Sequence, residues 1–204
     1  MCRCVETIRL YDGQWDDLAP HEERMNRTRR DLFGAAEPLS LERILARAVG
    51  CGACPPGTVK GRVEYDGRVR RVELLPYRSP AIRSLALVRD DGIDYRYKFC
   101  DRSRLEALRA SVPGADDVLV VRRGLLTDSS FCNIALLGED GRWITPAEPL
   151  LEGTMRRRLL DRGIVRPGTI RADGLGAFRR IALFNAMNGW GTVCLDMDAV
   201  SDAR

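Results

Sequence analysis

The sequence predicts a mixed α/β fold, of the α+β kind, in two lobes. Three observations carry this. The first half places two helical patterns and a clear hairpin after an opening strand, and the second half is a succession of short strands. Between them, residues 97–103 run from an extended stretch into a helix start, so the lobes are expected at residues 1–96 and 97–204. Each is expected to be a sheet with helices on one side. A chain of 204 residues suits one or two such units.

The elements follow from local signals. Residues 3–11 have strand composition and stop at the Asp12-Gly13 turn. Pro20 suits a first helical position, and Met25, Arg29 and Leu32-Phe33 continue one face until Gly34. Ser40 is placed to cap a second helix, in which Leu41, Ile44, Leu45 and Val49 recur at helical spacing up to Gly50. Residues 58–78 alternate as a hairpin turned at Asp66-Gly67. A strand is expected over Ile82–Val88, followed by the Asp90-Asp91-Gly92 turn. Ser103 and Glu106 have the spacing of a capping box, for a short helix ended by Pro113-Gly114. Strands are expected over Asp117–Arg122, Phe131–Leu137, Arg142–Thr145 and Arg179–Phe184, with a helix from near Thr154 to Gly163.

Composition excludes several function classes. Thirty-three basic against 29 acidic residues give a net charge of +4, too mild to argue for nucleic acid or membrane. The runs Arg27-Thr28-Arg29-Arg30 and Arg156-Arg157-Arg158 are expected to be solvated helix faces. Apolar stretches such as Val118–Val121 are far too short to span a bilayer. No apolar run follows the first residues, so a signal peptide is not expected. The seven cysteines are irregularly spaced, and a cytoplasmic location with reduced thiols is expected. Cys51 and Cys54 form a lone C-x-x-C in a Gly/Pro-rich loop, read as incidental thiols with no metal.

The chemistry must come from few residues. A single histidine, His21, excludes a Ser-His-Asp triad and a multi-histidine metal site, and it is expected to be a partly exposed surface group. No glycine-rich phosphate loop occurs. The helix start after Gly153 could hold a phosphate on its first N–H groups, or be a plain helix start. Only two lysines, Lys60 and Lys98, stand against 31 arginines. Lys60 is expected to be exposed. Lys98 lies among aromatic neighbours in Tyr95-Arg96-Tyr97-Lys98-Phe99, a place where a deprotonatable amine would matter, because arginine does not lose its proton.

Four segments in order carry a family likeness. Glu6-Thr7-Ile8-Arg9 is similar to an "FETIR" strand, and His21-Glu22-Glu23-Arg24-Met25 to an "H-x-x-R-[LM]" helix. Leu126–Ile134 resembles "vTEgsxsNif", and Trp143–Pro146 with Leu150–Arg156 resembles "TPxxxxxLLxGitR". Together they resemble the class IV pyridoxal-phosphate enzymes. These include branched-chain and D-amino acid aminotransferases and 4-amino-4-deoxychorismate lyase.

The resemblance implies a two-lobed D-amino acid aminotransferase-like fold (fold type IV), shortened at the N-terminus. It implies pyridoxal 5'-phosphate (PLP) as cofactor and an aminotransferase acting on an amino acid. The alternatives are a lyase acting on an amino-chorismate, or a non-catalytic relative. It also implies a homodimer. Lys98 matches the lysine that joins the cofactor and shuttles protons, and Arg24 the arginine on its phosphate. Asp128 falls where the family has a glutamate facing the pyridine nitrogen. Thr154 and Met155 match the phosphate-binding helix start, Asn133 a supporting asparagine, and Asn185 a late loop near the phosphate. Two of these positions depart from the family pattern: Asp128 is one methylene short, and Thr154 stands one place early. The shortened pocket offers no clear arginine for a second carboxylate of a substrate.

Overall fold

The computed structural model describes residues 2–50 and 55–202, so Cys51 and Cys54 lie outside the described residues. The chain divides into two compact units. The first comprises residues 1–79 with 97–101, and the second residues 80–96 with 102–204. The boundary expected after residue 96 therefore differs from the observed division. Backbone bonds explain the return of 97–101 to the first unit: Val5 N–H donates to Lys98 O at 2.9 Å, and Cys100 N–H to Arg3 O at 2.8 Å.

The first unit holds β1 (Cys4–Tyr11), β2 (Gln14–Trp15), α1 (Ala19–Phe33), α2 (Leu41–Gly50), β3 (Val59–Tyr65) and β4 (Val69–Pro76). The strands form one antiparallel sheet in the order β2-β1-β3-β4. Alternation fixes its faces. Cys4, Ile8, Val63 and Tyr65 pack with Met25, Leu41 and Leu45 of the helices. Gly34 ends α1 in the left-handed region at φ 64°, where a side chain would be strained. Ser40 caps α2 as expected, its Oγ accepting from Arg43 N–H at 3.4 Å.

The second unit holds β5 (Leu85–Arg89), α3 (Ser103–Ala110), β6 (Asp117–Arg122), β7 (Leu125–Ser129), β8 (Asn133–Gly138), β9 (Trp143–Pro146), α4 (Thr154–Asp161), β10 (Arg166–Gly168), β11 (Phe178–Phe184), β12 (Val193–Asp196) and β13 (Val200–Asp202). It contains two sheets rather than the one expected, ordered β13-β5-β6-β7 and β10-β9-β8-β11-β12. Leu85, Leu87, Leu119 and Leu126 of the first pack with Ile134, Leu136, Ile181 and Leu183 of the second in one core. A second cluster seats α4 through Met155 and Leu159 against Ala135 and Phe184.

Several local expectations are corrected. The Ser103–Glu106 capping box does not form: Arg102 is the N-cap residue, which moves Ser103 into the first helical position. The arginine runs are not solvated faces throughout, because Arg29 and Arg156 are buried. Arg29 instead ties α1 to loops, donating to Asn26 Oδ1, Glu37 O and Gly67 O at 2.9, 2.7 and 2.9 Å. Lys60 is half-buried, with its Nζ 5.9 Å from the centre of the Tyr77 ring. Among the described residues no helix is long and apolar enough to cross a membrane.

Candidate active site

In the first unit, Lys98 sits at the apex of a tight turn. Phe99 N–H donates to Tyr97 O at 2.9 Å, across one residue, while Cys4 and Phe99 form an isolated antiparallel bridge. The half-buried lysine is thus carried on a segment bonded to the edge of β1.

Beneath the same sheet lies a buried charged cluster. Glu6 is fully buried on β1. Its Oε1 accepts from Arg24 Nε at 2.9 Å and its Oε2 from Arg24 Nη2 at 2.6 Å. His21 Nδ1 lies 2.7 Å from Oε2. His21 and Arg24 are three residues apart on α1 and so share a face. His21 is buried, not the surface group expected. Burial pushes its pKa down against the pull of Glu6, and the nearby charges of Arg24 and Lys98 push it down further. His21 is therefore neutral at pH 7, donating from Nδ1 to the carboxylate.

Burial alone would raise the Glu6 pKa, but Arg24 and His21 outweigh it and hold it at about 2, against 4.5 for a free glutamate. A folded pKa below the unfolded one contributes stability above pH 4.5 that is lost as pH falls towards 2. Thermal unfolding followed from pH 6 to pH 2.5 is expected to show this loss. In Glu6→Gln the decline over that window is expected to be shallower.

The second unit brings Asp128, Asn133 and the start of α4 together. Asp128, on β7, is buried. Its Oδ1 accepts from Asn133 Nδ2 and its Oδ2 from Leu151 N–H, at 2.8 and 2.9 Å. Asn133 also donates to Leu151 O at 2.8 Å. Burial pushes the Asp128 pKa up from 3.8 to about 6, against the opposing effect of these donors and of Arg156.

Gly153, the N-cap residue of α4, packs directly on Asn133: an added Cβ would lie 1.9 Å from Asn133 Oδ1. Gly153→Ala is therefore expected to displace Asn133 and destabilise the protein by about 1–3 kcal/mol. Chemical denaturation measures that loss, and Gly50→Ala, where an added Cβ meets nothing within 4 Å, is the control.

Thr154 and Met155 open α4, and both are buried. The Met155 side chain is spent in the core, so only its backbone can serve a ligand. Helix starts direct N–H groups and positive dipole at anions. Asn185 follows Phe184, the β11 partner of Asn133, and builds a turn beside this group. Its Oδ1 accepts from Met187 and Asn188 N–H, both at 2.8 Å, and its Nδ2 reaches Phe131 O at 3.2 Å.

Sequence reasoning missed Glu6 and His21 as site residues, although both stand in the quoted motifs and the spacing of His21 to Arg24 marks a shared helix face. It also missed Arg156, which donates to Thr145 Oγ1 and Pro146 O at 3.3 and 2.8 Å and fixes the start of α4 to β9.

The profile of the Amino-transferase class IV family matches residues 3–195. The chain belongs to this family, whose members are PLP-dependent aminotransferases and lyases. Among curated relatives, a candidate aminodeoxychorismate lyase of Schizosaccharomyces pombe is 36% identical over 199 residues, covering 87% of this chain and 83% of its own. An uncharacterized Haemophilus influenzae protein is 27% identical over 186 residues, covering 90% of this chain and 97% of its own. A crystal structure of a candidate 4-amino-4-deoxychorismate lyase from Haemophilus somnus superposes with a TM-score of 0.84 at 30% identity, over 92% of this chain and 97% of that one. A candidate amino-acid aminotransferase from Mesorhizobium loti shares the fold, with a TM-score of 0.81 at 22% identity, over 96% of this chain and 99% of that one.

Proposed function

We propose that this protein is a PLP-dependent enzyme acting on an amino-bearing carboxylate, with Lys98 as the residue that joins the cofactor. The observation that carries the reading is Asp128. A carboxylate buried against two N–H donors, its pKa lifted to about 6, is a site where a cationic ring N–H would restore the charged form. The other residues fit the same group. Arg24 offers a guanidinium that Glu6 holds from Nε and Nη2, and α4 offers a helix start whose N-cap residue has no room for a Cβ.

When bound, the cofactor supplies a protonated pyridine ring that withdraws electrons from the substrate carbon. The chain supplies the rest. Asp128 would keep the ring nitrogen protonated, and Asn133 and Leu151 N–H hold Asp128 in place. Arg24 in the first unit and the α4 start in the second are each a group that would hold a phosphate. Lys98 Nζ takes the proton from the carbon beside the substrate nitrogen and returns it, a task for which arginine would not serve.

The first outcome of that proton transfer is amino exchange, giving a keto acid. The second is elimination to pyruvate and 4-aminobenzoate. The second is favoured by the S. pombe and H. somnus proteins, whose names carry that reaction at 36% and 30% identity. A cytoplasmic homodimer belongs to the same reading, and gel filtration at about twice 22.9 kDa tests the dimer.

The test is an absorption spectrum with added PLP, followed by incubation with amino acids and with 4-amino-4-deoxychorismate. The expected result is a near-ultraviolet or visible band abolished by borohydride, with keto acid or 4-aminobenzoate formed. A protein that stays colourless and inactive contradicts it.

A further inference from the structure

A cleft in the second unit is used by none of the residues assigned to the cofactor. It opens where the β6–β7 turn meets the segments that follow β9 and β10, and its lining includes Arg122, Arg123, Glu148 and Thr169 with the buried Leu126 and Ile170. Main-chain bonds set its walls. Leu126 N–H donates to Ile170 O at 2.9 Å, Ala172 N–H to Gly124 O at 3.0 Å and Ala147 N–H to Gly168 O at 2.9 Å. The cleft encloses about 90 Å³. That is room for a small ion, against roughly 300–1,000 Å³ for sites that take larger ligands.

Two arginines bring unspent charge to it. The Arg122 side chain is only 28% exposed, yet among the described residues its guanidinium makes no hydrogen bond. Its ion pair with Glu148 spans 3.8 Å, and the Glu148 side chain is 82% exposed. Its charge also reaches Asp94, whose carboxylate is bonded to Arg96. Half-buried arginines elsewhere spend their donors: Arg9 on Asp16 at 3.0 Å, and Arg102 on Ser130 O at 2.9 Å. A largely buried guanidinium, with five N–H donors, calls for an acceptor.

Arg123 adds a second cation in a costly backbone conformation. Arg122 faces Leu125, so Arg123 and Gly124 alone join β6 to β7. Both are left-handed, at φ 53° and 77°. Such a turn favours asparagine or glycine at its first place, and arginine there costs stability. Asp91 accepts from the main-chain N–H of Arg123 at 2.6 Å, while the guanidinium makes no hydrogen bond or ion pair among the described residues. Two cations against one exposed carboxylate leave the cleft net positive, and the exposed Thr169 adds a hydroxyl.

We propose that this cleft is a binding site for a small oxyanion, a phosphate or a carboxylate, held by Arg122 with Arg123 and the Thr169 hydroxyl. It lies between β7, which carries Asp128, and the loop that supplies the Leu151 N–H to Asp128. It stands whether or not Lys98 joins a cofactor.

Calorimetric titration of the full chain with inorganic phosphate, and separately with acetate, tests it in wild type, Arg122→Gln and Arg123→Asn. The protein is first treated with PLP and borohydride, and the readout is the difference between variants, so binding elsewhere cancels. Wild type is expected to bind one of the two ions with a Kd on the order of 1 mM, and the tighter one identifies the source. Arg122→Gln is expected to weaken it by about 10-fold or more. Arg123→Asn is expected to weaken it by about 3- to 10-fold while the melting temperature holds or rises, because asparagine suits the turn. That variant decides the matter if Arg122→Gln does not fold. Equal affinity in all three proteins marks an adventitious ion only and overturns the proposal, as does absence of binding to wild type at about ten times the expected Kd.

Discussion

Lys98→Ala is expected to abolish turnover, with a loss of about 10⁴-fold or more, while leaving the protein folded. The size follows from the two tasks assigned to one nitrogen, covalent attachment and proton transfer, of which the second alone is worth about 10²–10⁴-fold. The fold should survive because the segment is held by its main chain: the Val5 and Cys100 N–H bonds do not involve the lysine side chain. Lys98→Arg is expected to be equally inactive, since a guanidinium neither forms the bond nor gives up its proton. Product formation in a stopped assay, with circular dichroism of both variants, checks this. A variant retaining a tenth of wild-type turnover contradicts the role.

Arg24→Ala is expected to produce the largest loss of stability. Glu6 is fully buried, and its low pKa depends chiefly on Arg24. Removing the guanidinium leaves the carboxylate with His21 alone, a neutral partner. Breaking one side of a buried ion pair costs about 3–5 kcal/mol. In a chain of this length that lowers the melting temperature by roughly 10 °C. The double variant Arg24→Met/Glu6→Gln is expected to recover much of the loss, because no buried charge remains. On the role proposed for Arg24, it is not expected to recover cofactor affinity. Equal melting temperatures for the single and double variants would show that the buried charge is not the cause.

The parts of the fold legible in the sequence were those with strong local signals. The Asp66-Gly67 hairpin, the Gly34 helix stop and the Ser40 cap form where the turn and cap chemistry demand. What was not legible depends on tertiary pairing. β7 was not expected because Thr127-Asp128-Ser129 is polar and lacks strand alternation, yet all three are buried. Their burial reflects the Asp128 cluster rather than propensity. The short strands β10 and β13 exist through partners far along the chain, as Val200 against Leu85 shows. The motif residues were legible, but their local partners were not. Nothing in the spacing ties Glu6 to Arg24 across 18 residues.

The most direct test of the central claim uses the two lysines of the chain. The protein is incubated with PLP, reduced with borohydride, digested and mapped by mass spectrometry. The account predicts a phosphopyridoxyl group on Lys98 at near-stoichiometric yield and none on Lys60. Label on Lys60 alone, or on neither lysine, would contradict it.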